Sequence, residues 1–345
     1  MRKFLILFLT VLLCVSCDIN NYVYDLDDAL NGQKTETTTT KDGKNAIEFT
    51  VDGWQNGGSY AKAKKSPAIT RAGIDFEGGN TILQTQGFSV NSDKIPFFNA
   101  HVTWNGKKWI YSPIRYWGDD AAAFYAWAPY SIIPDENGII SYTTPTNEDA
   151  EITDVIGACV QRAEPKSDVK LTFKHLVSKI NVNAYLKGKL EDDTKLILDD
   201  VVISSNEIPT SGKLALNTYN YQWSDLEKGN YSVNINDNVD KTGYTLASKE
   251  VTTTSTKITN TSLYVIPAYG TNVSITVKYH LEYNINGNNV NDTQHNGTIT
   301  KSIGFEIGKR YILNLVFTKT NSIQFTDTNV TVEDWIDGGS TDFEF

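Results

Sequence analysis

Apolar and polar residues alternate with a period of two along much of this chain, the spacing of a strand with one buried face. Ile47-Glu48-Phe49-Thr50-Val51-Asp52 sets Ile47, Phe49 and Val51 on one side of a first strand spanning 46–52. Val169 to Phe173, Lys179 to Ala184, Ser262 to Ile266, Val273 to Val277 and Tyr311 to Phe317 repeat the pattern. Between Phe88 and Val160 the strand-like runs are short and separated by turn signals. His101-Val102-Thr103-Trp104 and Lys108-Trp109-Ile110-Tyr111 flank Asn105-Gly106-Lys107, which predicts a hairpin. The aromatic run Ala123 to Ala128 is stopped by Pro129. Residues 285–297, with Asn286-Gly287, predict a polar loop. No helical period of any length and no short tandem repeat is present. Many short strands with turns between them indicate an all-β chain of β-sandwiches. The polar stretch Arg162 to Asp168, with Pro165, marks a boundary between an N-terminal domain, 46–165, and a C-terminal domain, 166–345.

The first 45 residues break the alternation. Arg2 and Lys3 precede Phe4 to Val15, an apolar run interrupted only by Thr10 and too short to anchor across a bilayer. Ser16-Cys17 ends the run and resembles a bacterial lipobox, although Cys14 stands where such motifs usually carry leucine. Residues 1–16 are then a signal peptide, Cys17 carries lipid, and 17–45, with its tract Thr37 to Thr40, form a flexible tether. Residues 53–73 hold Gly57, Gly58 and Pro67 beside Lys62, Lys64, Lys65 and Arg71, and predict an exposed basic loop. Cleavage and acylation leave Cys159 without an intrachain partner, so no disulfide supports the fold. Its run, Val155 to Val160, predicts a small core residue at Cys159.

Charge and chemistry narrow the function. The net charge is −10, and removal of Arg2 and Lys3 with the signal peptide leaves −12, which argues against nucleic-acid binding. No phosphate-cradling glycine loop, nucleophile elbow or zinc spacing occurs, so no catalytic residue, metal site or cofactor is expected. His101, His175, His280 and His295 are far apart and predict surface or packing roles. Asp119-Asp120 and Asp199-Asp200 predict solvated turns. Trp104, Trp109, Trp117 and Trp127, with Tyr111, Tyr116 and Tyr125, suit either a sugar-stacking platform or a sandwich core. Their place within alternating strands favours the core.

Four segments, in order, resemble the fimbrillin family: Phe124-Tyr125-Ala126-Trp127-Ala128-Pro129-Tyr130, Leu171 to Ile180, Leu263-Tyr264-Val265-Ile266-Pro267, and Gly308 to Leu313 running on through Val330, Val332 and Trp335. Fimbrillins are subunits of type V pili of Gram-negative anaerobes. The resemblance implies two transthyretin-like β-sandwich domains and a non-enzymatic, structural role. It implies lipidated export to the outer-membrane surface, trimming after an arginine, and polymerisation by donor-strand exchange. Thr70-Arg71-Ala72 resembles the family's cleavage region, so Arg71 and Ala72 would flank the cut and Ile47, Phe49 and Val51 would leave with the first strand. The segment 330–345, with Val330, Val332, Trp335, Phe343 and Phe345, would be the donor. The implied partners are other pilus subunits, the outer membrane through Cys17, and a host protein or glycan. Alternatives remain open: both termini complete their own sandwiches, or the chain is a pilus anchor, a tip adhesin or a surface glycan-binding lipoprotein.

Overall fold

Alternating segments become strands wherever one face finds a core. The computed structural model describes residues 45–52, 54–55, 59–60, 83, 86–97, 99–146, 154–187, 190, 194–234, 244–245, 256–257, 263–318, 331–334 and 341–344, and every named element among them is a strand. The first half carries β1 (Phe49–Val51), β2 (Trp54–Gln55), β3 (Ser59–Tyr60), β4 (Phe88–Ser92), β5 (Ala100–Trp104), β6 (Trp109–Ile110), β7 (Ala122–Ala128), β8 (Ile139–Thr143), β9 (Ile156–Ala163), β10 (Val169–Leu171) and β11 (Lys174–His175). One sheet has the order β11-β9-β7-β4-β5-β6, and β1 pairs in parallel with β10. The predicted hairpin is β5–β6, with Trp104 opposite Trp109. The Asn105 carboxamide oxygen accepts the N–H groups of Lys107 and Lys108 at 2.9 and 2.8 Å, and Gly106 takes a φ of 93°. Gly87 opens β4 at φ 72°, and a Cβ there would stand 2.0 Å from the carbonyl oxygen of Val102, so only glycine fits.

Two expectations change here. Within 53–73, Trp54 pairs with Tyr60 and Gln55 with Ser59, so part of the expected loop is a small ladder. The boundary expected at 165/166 falls inside the first half. Val169, Leu171 and Phe173 are buried in the same core as Phe88, Phe97 and Phe124. The polar residues between β9 and β10 are a turn: the Ser167 hydroxyl donates to the Glu164 carbonyl at 2.6 Å, and Lys166 adopts φ 67°.

The second half carries β12 (Ser178–Lys187), β13 (Thr194–Ser205), β14 (Pro209–Ala215), β15 (Trp223–Lys228), β16 (Tyr231–Asn234), β17 (Tyr244–Thr245), β18 (Thr256–Lys257), β19 (Leu263–Val265), β20 (Ala268–Ile285), β21 (Asn288–Asn291), β22 (His295–Phe305), β23 (Lys309–Thr318), β24 (Thr331–Asp334) and β25 (Thr341–Glu344). One sheet follows β18-β12-β23-β24, with β19 on β12 and β25 on β23; another follows β16-β13-β20-β21, with β17 on β13 and β22 on β20. Their inner faces share a core that includes Ile180, Val182, Ile203, Val277 and Leu313. The expected polar loop at 285–297 is a second hairpin: Asn286 and Gly287 take φ 53° and 83°, the left-handed pair that a two-residue turn requires, and Ile285 faces Asn288.

A third sheet, β15-β14-β8, draws β8 from the first half against β14 from the second. Its core joins Trp127, Ile140, Leu176, Leu214 and Ile266. The indole N–H groups of Trp127 and Trp223 donate to the carbonyls of Ile132 and Leu176, both at 2.7 Å. Shared sheet and shared core make Lys44–Phe345 one compact unit.

Candidate assembly site at the first strand and the C-terminal strands

The first strand enters a seat built by distant segments. Ala46 bridges Tyr116, the Ile47 N–H donates to the Arg115 carbonyl at 2.9 Å, and Trp117 N–H donates to Asn45 at 3.0 Å. On the opposite edge, Phe49, Thr50 and Val51 lie opposite Val169, Lys170 and Leu171. The Val169 N–H donates to Glu48 and the Asp52 N–H to Leu171, both at 2.8 Å.

Alternation sends every second side chain inward. Ile47, Phe49 and Val51 are 1%, 3% and 6% exposed. Phe49 meets Phe88, Phe97, Tyr111 and Phe124 edge-on, with ring centres 5.5–6.1 Å apart. The structure thus brings the three predicted first-strand residues together, in the middle of the aromatic core. Tyr111 ties the seat to the strand: its hydroxyl donates to the Ile47 carbonyl at 2.8 Å, and burial pushes its pKa up to about 12. On the solvent side, Lys170 Nζ lies 3.0 Å from Asp52 and the Thr172 hydroxyl donates to Asp52 at 3.4 Å.

The C-terminal strands lie on β23. Lys309 to Ile312 run antiparallel to β24, with Tyr311 opposite Val332. Leu313 to Val316 run parallel to β25, with Leu315 opposite Phe343. Among the predicted donor residues, Val332 and Phe343 therefore pair within the chain's own second half. Val330, Trp335 and Phe345 lie outside the described residues, as do Cys17, Arg71 and Ala72.

The aromatic cluster is core. Trp109, Trp117 and Trp127 are buried, and Trp104 and Tyr111 pack against the same interior. Cys159 departs from expectation. Its neighbour Ala158 points into the core, so alternation turns Cys159 to the opposite face of β9. It is half-buried at the rim of a cavity, and partial burial raises its thiol pKa. Three histidines lie against aspartates: His175 Nδ1 is 2.9 Å from Asp154, His280 Nδ1 2.8 Å from Asp199, and His295 Nε2 2.7 Å from Asp292. Sequence gave no sign of these pairs, because their partners meet only across strands and turns. Among the described residues no group of three or more His, Cys, Asp or Glu is suited to a metal ion.

The chain is all-β among the described residues, with its first strand seated between distant segments and its C-terminal strands on one edge of β23. A fimbrillin-like family profile matches residues 70–335, and the chain belongs to that family. It is a pilus-related protein. A fimbrial protein from Bacteroides vulgatus shares the fold with a TM-score of 0.56 at 19% identity, covering 73% of this chain and 93% of that one. A cell-adhesion protein from Bacteroides uniformis gives a TM-score of 0.47 at 13% identity, covering 86% and 100% of the two chains. No curated protein matches the sequence.

Proposed function

We propose that the chain is a structural subunit of a cell-surface pilus, exported as an outer-membrane lipoprotein on Cys17, trimmed after Arg71 and joined to its neighbours by donor-strand exchange. The observation that carries this reading is the seat of β1. Three apolar side chains enter the first core from one short segment, Ile47 from just before β1 and Phe49 and Val51 from β1 itself. Burying each is worth about 1.5–3 kcal/mol, so the seat gains on the order of 6 kcal/mol from an occupant. The covalent path from β1 to β4 runs through the segment that holds Arg71. A cut there makes β1 exchangeable and leaves an apolar trough with unpaired backbone groups, a template for another strand.

The segment 330–345 supplies a candidate occupant. It already adopts strands β24 and β25, and its ladder contacts are confined to one edge of β23. Val330, Val332, Trp335, Phe343 and Phe345 are the side chains it would bring to a neighbour's seat. The partners are further pilus subunits, with a host protein or glycan as the adhesive target.

Arg71→Ala tests the proposal. The wild-type protein recovered from cell surfaces should begin at Ala72 and ladder in mild detergent. The variant should retain β1 and stay monomeric. Ladders of undiminished length from Arg71→Ala would overturn the trimming step.

A further inference from the structure

A cavity of about 350 Å³ opens on the outer face of the first half. Its floor is the outward side of β9, β10 and β11, and residues of the connection between β14 and β15 form a wall. Inward Val169, Leu171, Phe173 and His175 are buried, so alternation turns Lys170, Thr172 and Lys174 out in a row, and all three line the cavity. Gln161 adds an amide, and Tyr219 and Tyr221 add aromatic walls. Lys174 Nζ sits 4.8 Å from the centre of the Tyr219 ring. The residues lining the cavity include two lysines and no carboxylate, in a chain of net charge −10.

Size and lining suit a small ligand with three properties. Ligand pockets of this volume combine flat apolar walls with a few placed polar groups. Tyr219 and Tyr221 offer aromatic surface to a ring with C–H edges. Gln161 and Thr172 offer donors and acceptors to hydroxyl groups. The lysines require a negative charge. We propose that this cavity binds an acidic sugar residue, with Lys170 addressing its carboxylate.

Lys170 is not yet available for that task. Its ammonium group is held by Asp52, the residue that follows β1 and is tied to Leu171 by its backbone. The same carboxylate accepts from Thr172. Removal of β1 takes Asp52 away and leaves Lys170 and Thr172 facing the cavity without it. The site is therefore held down in the intact chain and released by trimming; this gating rests on the proposed processing, whereas the site itself does not.

Titration of the intact chain with sodium glucuronate, followed by ligand-observed NMR, separates the two. Asp52→Asn should bind glucuronate about fivefold more tightly than wild type, the ceiling set by an exposed ion pair. Lys170→Gln placed on Asp52→Asn should remove that gain. Glucose should bind Asp52→Asn up to about fivefold more weakly than glucuronate does, for the same reason, and acetate more weakly still. These side chains face solvent, and an unchanged thermal midpoint checks that each variant is folded. Equal binding by wild type and Asp52→Asn overturns the gating, whatever the fate of the trimming model. No binding by either, or acetate equal to glucuronate, overturns the sugar site. Tighter binding of an aspartate-rich peptide than of glucuronate assigns the cavity to an acidic protein segment and overturns it as well.

Discussion

The two halves of this molecule bury their apolar faces in different ways. The first packs aromatic rings, Phe49, Phe88, Phe97, Trp109, Trp117, Phe124 and Phe173, around a strand of three residues that arrives from a remote part of the chain. The second packs mostly aliphatic side chains between long strands, and its β12–β23 ladder runs without a break from Lys179 opposite Arg310 to Lys187 opposite Thr318. In the second, the long strands β12, β13, β20 and β23 are tied to their neighbours by many backbone pairs. In the first, β1 and the residues just before it are held by a few hydrogen bonds and by the fit of Ile47, Phe49 and Val51. The proposed strand exchange therefore falls on the core with the short insert rather than on the core of long ladders.

Phe49→Ala should have the largest effect. It removes a fully buried ring that touches four other aromatic rings. Such truncations cost about 3–5 kcal/mol. Urea unfolding followed by tryptophan fluorescence should show an early transition of the first half, while hydrogen exchange in the β12–β23 ladder stays slow. A uniform loss of protection in both halves would show that the insert supports the whole unit and is not separable.

Much of this contrast was legible in the sequence. Period-two alternation located β1, β10, β12 and β23, and Asn105-Gly106 placed the β5–β6 turn; Asn286-Gly287 carries the same signal, but the polar residues around it read as loop. Pairing partners were not legible. Glu48 meets Val169, and Lys179 meets Arg310, across more than a hundred residues, and neither parallel ladder leaves a local trace. The turn between β9 and β10 has the polarity of a linker, so its composition pointed to a domain boundary that Val169, Leu171 and Phe173 override by packing into the first core. The Val155 to Val160 run is apolar on both faces of its strand, so composition could not tell that Ala158 turns in while Cys159 turns toward the cavity. The cavity itself joins β9, β10 and β11 to a connection some fifty residues further on, and no motif marks it.

Alkaline pH should act on both halves through buried tyrosines, Tyr111 among them in the first and Tyr311 in the second. Burial pushes Tyr111 in the first half and Tyr311 in the second up to about 12, against an ordinary value of about 10. The unfolded chain therefore loses these protons first. The stability that each neutral phenol contributes is fully present below about pH 10 and is lost as pH rises through about 12. The upper limit is about 3 kcal/mol for each residue. Urea midpoints measured from pH 9 to pH 12 should fall steeply, and Tyr111→Phe should flatten the part of that fall that Tyr111 supplies. An unchanged slope in Tyr111→Phe would show that its phenol is ionised as easily folded as unfolded.

At neutral pH the same substitution is the mildest test and the most specific. Tyr111→Phe keeps the ring against Phe49 and Phe97 and deletes only the hydroxyl. That hydroxyl donates to the Ile47 carbonyl at 2.8 Å and accepts from the Arg115 N–H at 3.3 Å. Its loss should cost about 1 kcal/mol, the usual net worth of a hydrogen bond in a folded protein. The cost should appear where the insert is held. The N–H groups of Ile47, Asp52 and Val169, which bond Arg115, Leu171 and Glu48, should exchange about fivefold faster than in the wild type, from a protection already below that of the β12–β23 amides. Lower protection at these three amides than in the β12–β23 ladder, with and without the substitution, would mean that β1 opens as a unit of its own, which is what an exchangeable strand requires. Equal protection in the two places would mean that β1 leaves only when the whole molecule unfolds, and strand exchange at this seat would then need a far larger rearrangement than release of one short insert.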